Sequence, residues 1–251
     1  MNGVKIRPAV VEDAPVIAQA VALAMGEESA AKLCGAEYLK VLEAVASACG
    51  TQYSYAHAFV AEASGVAVGA VVGYDGASLG VLREGTLEVI GKMNANPVVP
   101  EDETQAGEFY IDSIGVLPLY RGAGLGEHLL KAMAQMAFSC GFQKVGLIVD
   151  FENPRAAQLY SRCGFEVVGE KSFFGHRMHH LQCTQESSVQ KILYTGLNYP
   201  QVREFCGDKI LAPYICMGFS MLSLLGPDGF ISVQEGDTIC KDVFGKFWVE
   251  K

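Results

Sequence analysis

The chain has 251 residues, half of them hydrophobic, and its 19 basic and 28 acidic residues give a net charge of −9. That length and apolar share suffice for a real core, while an acidic balance with no basic cluster excludes a polyanionic partner such as nucleic acid and leaves one phosphorylated small molecule open. Eight scattered cysteines without CxxC spacing and a charge-broken N-terminus argue against a disulfide framework, a structural metal and a secretory signal, so reduced thiols in a cytoplasm are expected.

"VKIRPAV" reads as a first strand and "VEDAPVIAQAVALAMG" as an amphipathic helix, acidic in its first turn and ended by Gly26. A second helical stretch runs from Ala30 to Ala48. Two β-branched runs then meet at Ser64-Gly65 as a hairpin. Residues 77 to 106 read as a surface insertion with its own helix, around Leu82 to Met93, followed by the acidic, proline-interrupted "NPVVPEDETQAG".

The tightest pattern follows. A strand "EFYIDSIGV" leads into the glycine turn "YRGAGLG", a helix to Cys140 closed by Gly141, a strand "KVGLIVD", a helix from Asn153, and Gly164 before a strand "FEVVGEK". Strand, helix, strand at that length implies a parallel pair joined by a right-handed crossover. "FFGHRMHHLQC" reads as a further strand. Beyond "CTQESS" come one short helix, "YPQVREFC", and short strands broken by "GPDG", "EGD" and "FGK". The domain boundary is placed near Ser187, giving domains 1–187 and 188–251. The longest apolar run, "APYICMGFSMLSLLG", is too short to cross a bilayer, so a soluble protein without a membrane partner is expected.

The glycine turn carries chemistry. A dinucleotide GxGxxG fails because Glu127 stands three residues after Gly124, and a P-loop GxxxxGK has no match. What remains is a nest: successive N–H groups from Gly122 to Gly126 face one concavity at a helix N-terminus and suit a pyrophosphate, with Arg121 adding charge. Asn153 is a good N-cap, Pro154 sits at N1 and Gly164 provides the stop. By helical spacing alone Tyr160 is a core aromatic.

"VLPLYRGAGLGEHLL" resembles the acyl-coenzyme A motif of the GNAT superfamily of N-acyltransferases, with Arg121, Gly124 and Gly126 in the signature places. "ENPRAAQLYSRCGF" matches the family's second part through Asn153, Ala156, Tyr160, Gly164 and Phe165. The resemblance covers residues 3 to 183. It implies an α/β fold with a mixed sheet, a splayed parallel strand pair, and acetyl-coenzyme A as co-substrate. The pyrophosphate would lie on Arg121, Gly122, Ala123, Gly124, Leu125 and Gly126, and pantetheine would run along the backbone of Ile114 and Val116, with Asn153, Ala156 and Tyr160 also at the coenzyme.

The resemblance also assigns the reaction, acyl transfer to a primary amine by direct attack. Tyr160 becomes the acid that protonates the departing thiolate. Glu108 and Asp112 become the candidate bases. Four residues apart, they share a face of an ideal strand, but the family bulges this strand and leaves that parity open; either residue is otherwise a solvated or salt-bridged carboxylate. No covalent enzyme intermediate is needed, so Cys140 and Cys163 read as core thiols.

His176, His179 and His180 have spacings that suit a metal on a helix, but on a strand adjacent histidines face opposite ways, so no metal is expected. His57 and His128 are isolated. The acidic run Glu101-Asp102-Glu103 is either an attraction for a cationic amine, supplied as a small molecule or a peptide, or a solvated loop.

The tail resembles a small domain of unknown function common in bacteriophage genomes. The matching features are Thr195-Gly196-Leu197-Asn198, the helix to Phe205, Gly236-Asp237, Lys241-Asp242, Gly245 and Phe247. A β-rich domain of that size is marginal alone, which implies packing on the larger domain, covering a substrate opening or mediating a homodimer. The competing functional reading is a coenzyme-binding sensor that performs no transfer and uses the tail for recognition.

Overall fold

Strand pairing and helix placement come from a computed structural model, which describes residues 4–93, 98–185, 189–216, 219–226, 229–242 and 245–251. The chain divides into two units, Met1–Thr184 and Gln185–Lys251. The boundary read near Ser187, the Asn96-Pro97 interruption, the Pro227-Asp228 turn and Phe244 fall outside the described residues.

In the first unit the order is β1 (Val4–Pro8), α1 (Ala14–Met25), α2 (Glu27–Cys34), α3 (Tyr38–Ser47), β2 (Ala58–Ala63), β3 (Val66–Asp75), α4 (Leu79–Met93), β4 (Phe109–Val116), α5 (Leu125–Ser139), β5 (Lys144–Asp150), α6 (Pro154–Arg162), β6 (Glu166–Phe173) and β7 (His176–Thr184). The strands form one sheet in the order β1-β2-β3-β4-β5-β7-β6. Its pairs are antiparallel except β4 with β5. The hairpin at Ser64-Gly65 forms with both residues at positive φ, the geometry a two-residue turn demands. The stretch read as a helix from Ala30 to Ala48 is two helices, because the chain turns at Gly35, whose φ is +80°.

Helices α1, α2, α3 and α4 share a core with the sheet through Ile17, Val21, Leu42, Val45, Val60, Val72 and Ile90. Helix α5 covers the other face with Leu129, Leu130, Met133 and Ala137. The insertion read as a surface feature is packed instead. Leu79, Leu82, Arg83, Thr86 and Ile90 of α4 are buried, as are Glu103 and Thr104 behind it. Helix α5 ends at Ser139, so Cys140 turns out to solvent at the exit and is not the core thiol expected; Cys163 is buried.

The second unit comprises β8 (Val189–Leu193), α7 (Tyr199–Cys206), β9 (Tyr214–Cys216), β10 (Phe219–Gly226), β11 (Gly229–Gln234), β12 (Thr238–Asp242) and β13 (Phe247–Glu250). Two three-stranded sheets, β11-β10-β9 and β13-β12-β8, enclose Tyr194, Val202, Leu222, Leu224, Val233, Ile239 and Phe247. Asn198 ties the turn before α7, accepting from Thr195 N at 2.9 Å and donating to Leu193 O at 2.8 Å. The long apolar run became β9 and β10. Among the described residues no helix is long and apolar enough to cross a membrane.

Candidate active site

The parallel pair β4/β5 is joined only at its start. Phe109 pairs with Val145 and Tyr110 with Gly146, and the ladder goes no further. Beyond that point the two strands diverge around a cavity of about 220 Å³, lined by Ile111 to Ile114 from one strand and Leu147 to Asp150 from the other. Met25 from α1, Tyr53, Glu103, Asn153, Ala156 and Tyr160 also line it.

A carboxylate stands where the divergence begins. The Glu108 carboxylate lies over Gly146, where a Cβ would sit 2.2 Å from Oε2. There it accepts from Gln182 Nε2 at 2.7 Å and Thr104 Oγ1 at 2.7 Å, and faces His180 Nε2 at 3.0 Å. Burial acts to raise its pKa, but the bonds from His180, Thr104 and Gln182 outweigh burial and hold it below the ordinary carboxylate value. Glu108 is therefore a partnered carboxylate at the root of the splay and is not among the cavity's lining residues.

Asp112 goes the other way because β4 is bulged. Val72 pairs with Ser113 and Gly73 with Ile111, so Asp112 is the extra residue. A bulge re-aims a side chain, and this one puts Asp112 in the cavity wall. Tyr74 OH donates to its Oδ2 at 2.7 Å and Ser113 Oγ to its Oδ1 at 2.9 Å. Burial pushes Asp112 up to about 6 against those two bonds.

Glu103, from the acidic run that reads either as an attraction for a cationic amine or as a solvated loop, is 2% exposed and shares the cavity with Asp112. Burial, reinforced by the charge of Asp112, pushes it up to about 7 despite Arg83. Arg83 Nη2 donates to Glu103 Oε2 at 2.6 Å. Neither Tyr74, Gln52 nor Arg83 was visible as a site residue, because each meets Glu103 only through long-range packing. The one available signal was the acidic run itself.

Tyr160 lies on α6, whose first turn is capped as its sequence implies: Asn153 Oδ1 accepts from Ala156 N at 3.1 Å. Its ring is buried, and burial with the neighbouring Cys163 pushes the phenol up to about 12. Tyr160, Asn153, Ala156 and Ile114 all line the cavity. Val116 does not, and its carbonyl accepts from Arg121 Nε at 3.0 Å.

The glycine turn enters α5 with Gly122 at φ +83° and Gly124 at φ +75°, values that L side chains rarely adopt. The first amide of α5 with a partner is that of His128, on Gly124 O at 3.1 Å. Among the described residues the amides from Gly122 to Glu127 have no backbone acceptor. Gly126 differs from its two companions. Its φ is not positive, and a Cβ there would make ordinary contact, 3.5 Å, with Leu159 Cδ2. The protein itself therefore gives no reason for a glycine at 126, whereas an anion drawn against bare amides does.

The three histidines of β7 part company. His176 Nδ1 meets Asp150 Oδ2 at 3.0 Å, His179 stacks on Phe151 with ring centroids 3.8 Å apart, and His180 faces Glu108. Among the described residues no cluster of three His, Cys, Asp or Glu is arranged to hold a metal.

Comparison with known proteins adds to this geometry. The model of the acetyltransferase (GNAT) family matches residues 36–165. Mycothiol acetyltransferase of Propionibacterium freudenreichii subsp. shermanii is 34% identical over 95 residues, which are 38% of this chain and 30% of that protein. Spermine/spermidine N(1)-acetyltransferase of Bacillus subtilis is 31% identical over 101 residues, covering 40% of this chain and 66% of that one. The match thus spans less than a third of the mycothiol enzyme's length and just under two thirds of the polyamine enzyme's. A solved structure described as the crystal structure of acetyltransferase superposes with a TM-score of 0.62 at 30% identity, covering 72% of this chain and 98% of its own.

Proposed function

The chain belongs to the acetyltransferase (GNAT) family, and on that premise we propose that it transfers an acyl group, acetyl in the first instance, from an acyl-coenzyme A to a primary amine by direct attack in a ternary complex. The observation that carries this reading is that Asp112 and Tyr160 line one cavity in the opening between β4 and β5. The unpartnered amides of the α5 entry fit the donor's pyrophosphate. Arg121, Gly122, Ala123, Gly124, Leu125 and Gly126 hold it there, with Ile114, Asn153 and Ala156 along the rest of the donor. The donor supplies an activated acyl carbon.

Near pH 7 a primary amine with pKa about 10.4 arrives protonated. Asp112, a carboxyl raised to about 6 and so close to the working pH, first takes that proton and passes it to solvent, which frees the nitrogen lone pair to form the new C–N bond, and it takes the nitrogen's second proton as the adduct collapses to the amide. Tyr160 remains a protonated phenol through the physiological range. It gives its hydrogen toward the sulfur as the C–S bond breaks, and solvent restores both groups. An N–H of the unpaired edge of β4 polarises the thioester oxygen. Glu108 takes no part in this chemistry.

No lysine or arginine lines the cavity among the described residues, while Glu103, Asp112 and Asp150 do. That balance supports a cationic acceptor, and the named acceptors of the Bacillus subtilis relative put polyamines first in any panel. The smaller unit is given no part in the chemistry. The test is thiol release from acetyl-coenzyme A across polyamines, aminoglycosides, amino acids and N-terminal peptides. Turnover with at least one amine is expected; donor binding without turnover on any of them would favour the sensor reading.

A further inference from the structure

Two carboxyls of the cavity wall, one hydroxyl and one amide stand in a chain. Tyr74 OH is 2.7 Å from Asp112 Oδ2 and 3.3 Å from Glu103 Oε1. Gln52 Nε2 donates to Tyr74 OH at 3.1 Å and to Glu103 Oε1 at 3.0 Å. Counting hydrogens shows what the chain lacks. The Gln52 amide supplies two, and the single phenol hydrogen goes to Asp112 or to Glu103 but not to both. One added proton completes it in either of two ways: on Glu103, donating to the phenol oxygen while the phenol donates to Asp112, or on Asp112 with the phenol turned to Glu103.

We propose that Glu103 is a positioning residue for the transfer, sharing one proton with Asp112 through the Tyr74 hydroxyl and so setting the acidity at which Asp112 accepts the amine's proton. The proposal rests on the reading of Asp112 as the base. When the proton leaves the nitrogen it forms an O–H bond on Asp112, Glu103 gives up the shared proton to solvent, and the phenol hydrogen swings to the Glu103 carboxylate. The surroundings suit a single shared proton. Glu103 is 2% exposed and its other oxygen is committed to Arg83, which also pairs with Asp102. Ser113 on β4 holds the far oxygen of Asp112. The buried Tyr53 and Tyr110 bring no opposing charge. Two carboxylates flanking one phenol in such a place resist joint ionisation; the charge of Asp112 adds to burial in raising Glu103, while burial raises Asp112.

The experiment is a carboxyl ¹³C titration of the full chain without substrate, paired with pH profiles of kcat/KM for the wild type, Glu103→Gln and Tyr74→Phe. Two coupled carboxyl titrations are expected well above the ordinary range. Glu103→Gln removes the competing charge and lowers the Asp112 midpoint by about one pH unit, carrying the acidic limb of kcat/KM with it. Tyr74→Phe removes a donor to the ionised form and moves the midpoint up. A merely structural Glu103 would lower the amplitude and leave the midpoint in place, which would overturn the proposal. If Glu103→Gln does not fold, Tyr74→Phe decides alone: an unmoved midpoint refutes the sharing. Amine acylation with unmoved midpoints sinks this proposal and spares the function, whereas moved midpoints in a chain that acylates no amine sink the function and spare the shared proton.

Discussion

Replacing Gly126 by valine separates a glycine needed by the fold from one needed by a ligand. Its helical φ accepts a side chain, and the nearest atom to a Cβ is Leu159 Cδ2 at 3.5 Å. Valine is a few tenths of a kcal/mol better than glycine within a helix, so the stability of the chain should change by less than about 0.5 kcal/mol. Donor binding should respond differently. The branched side chain stands over the amides of the first turn of α5 and holds a phosphate off them. Losing two charge-assisted hydrogen bonds at about 1.5 kcal/mol each costs about 3 kcal/mol, or roughly a hundredfold in Kd. Calorimetric titration with coenzyme A beside urea denaturation reads both quantities. Unchanged affinity in the folded variant would refute the nest, and a stability loss above about 2 kcal/mol would make Gly126 structural after all. Gly124 cannot serve in its place, because at φ +75° a β-branched residue strains the backbone whether or not a ligand binds.

Three more outcomes follow from the geometry. Tyr160→Phe keeps the ring and loses the hydrogen, so kcat should fall about a hundredfold with donor affinity unchanged; wild-type kcat in single-turnover thiol release would remove the acid assignment. Gly146→Ala drives a Cβ into the Glu108 carboxylate and should cost about 2 to 4 kcal/mol in urea denaturation through overpacking and lost hydrogen bonds, with a cost under about 1 kcal/mol arguing against Glu108 as the pin of the splay. Asp112 binds its proton more tightly folded than unfolded, its value rising from 3.8 to about 6. The stability it costs therefore appears as pH rises through that window and is complete above it, so Asp112→Asn should gain on the wild type by about 2 kcal/mol between pH 4 and pH 8; a gain independent of pH would contradict the burial argument.

Much of the frame was legible because it is written in local chemistry. The Ser64-Gly65 hairpin, the Asn153 cap with Pro154 and the glycine entry to α5 all depend on residues within a few positions of one another. Where the sequence reading faltered, the deciding contacts are distant. The parity of Glu108 and Asp112 stays open in the sequence because a bulge is expected there; the bulge falls at Asp112, and it and the reach of Glu108 to His180 and Gln182 send the two to different places. Glu103 reads as one acid in a run that either attracts a cationic amine or is solvated; its burial comes from Arg83, Gln52 and Tyr74, which lie 20 to 51 residues away in sequence. Cys140 reads as a core thiol because the reaction needs no covalent intermediate, but at the C-terminal cap of α5 it is exposed.

On the proposed function, the cavity between β4 and β5 is where an acyl group passes to an amine. The most direct measurement incubates the full chain with isotopically labelled acetyl-coenzyme A and the amine panel, following acceptor mass and free thiol together. Labelled acetyl on an amine nitrogen, in one-to-one ratio with thiol and slowed by Tyr160→Phe, is the predicted result. Tight donor binding with thiol released only at the rate of the enzyme-free blank, whatever the amine, would contradict it.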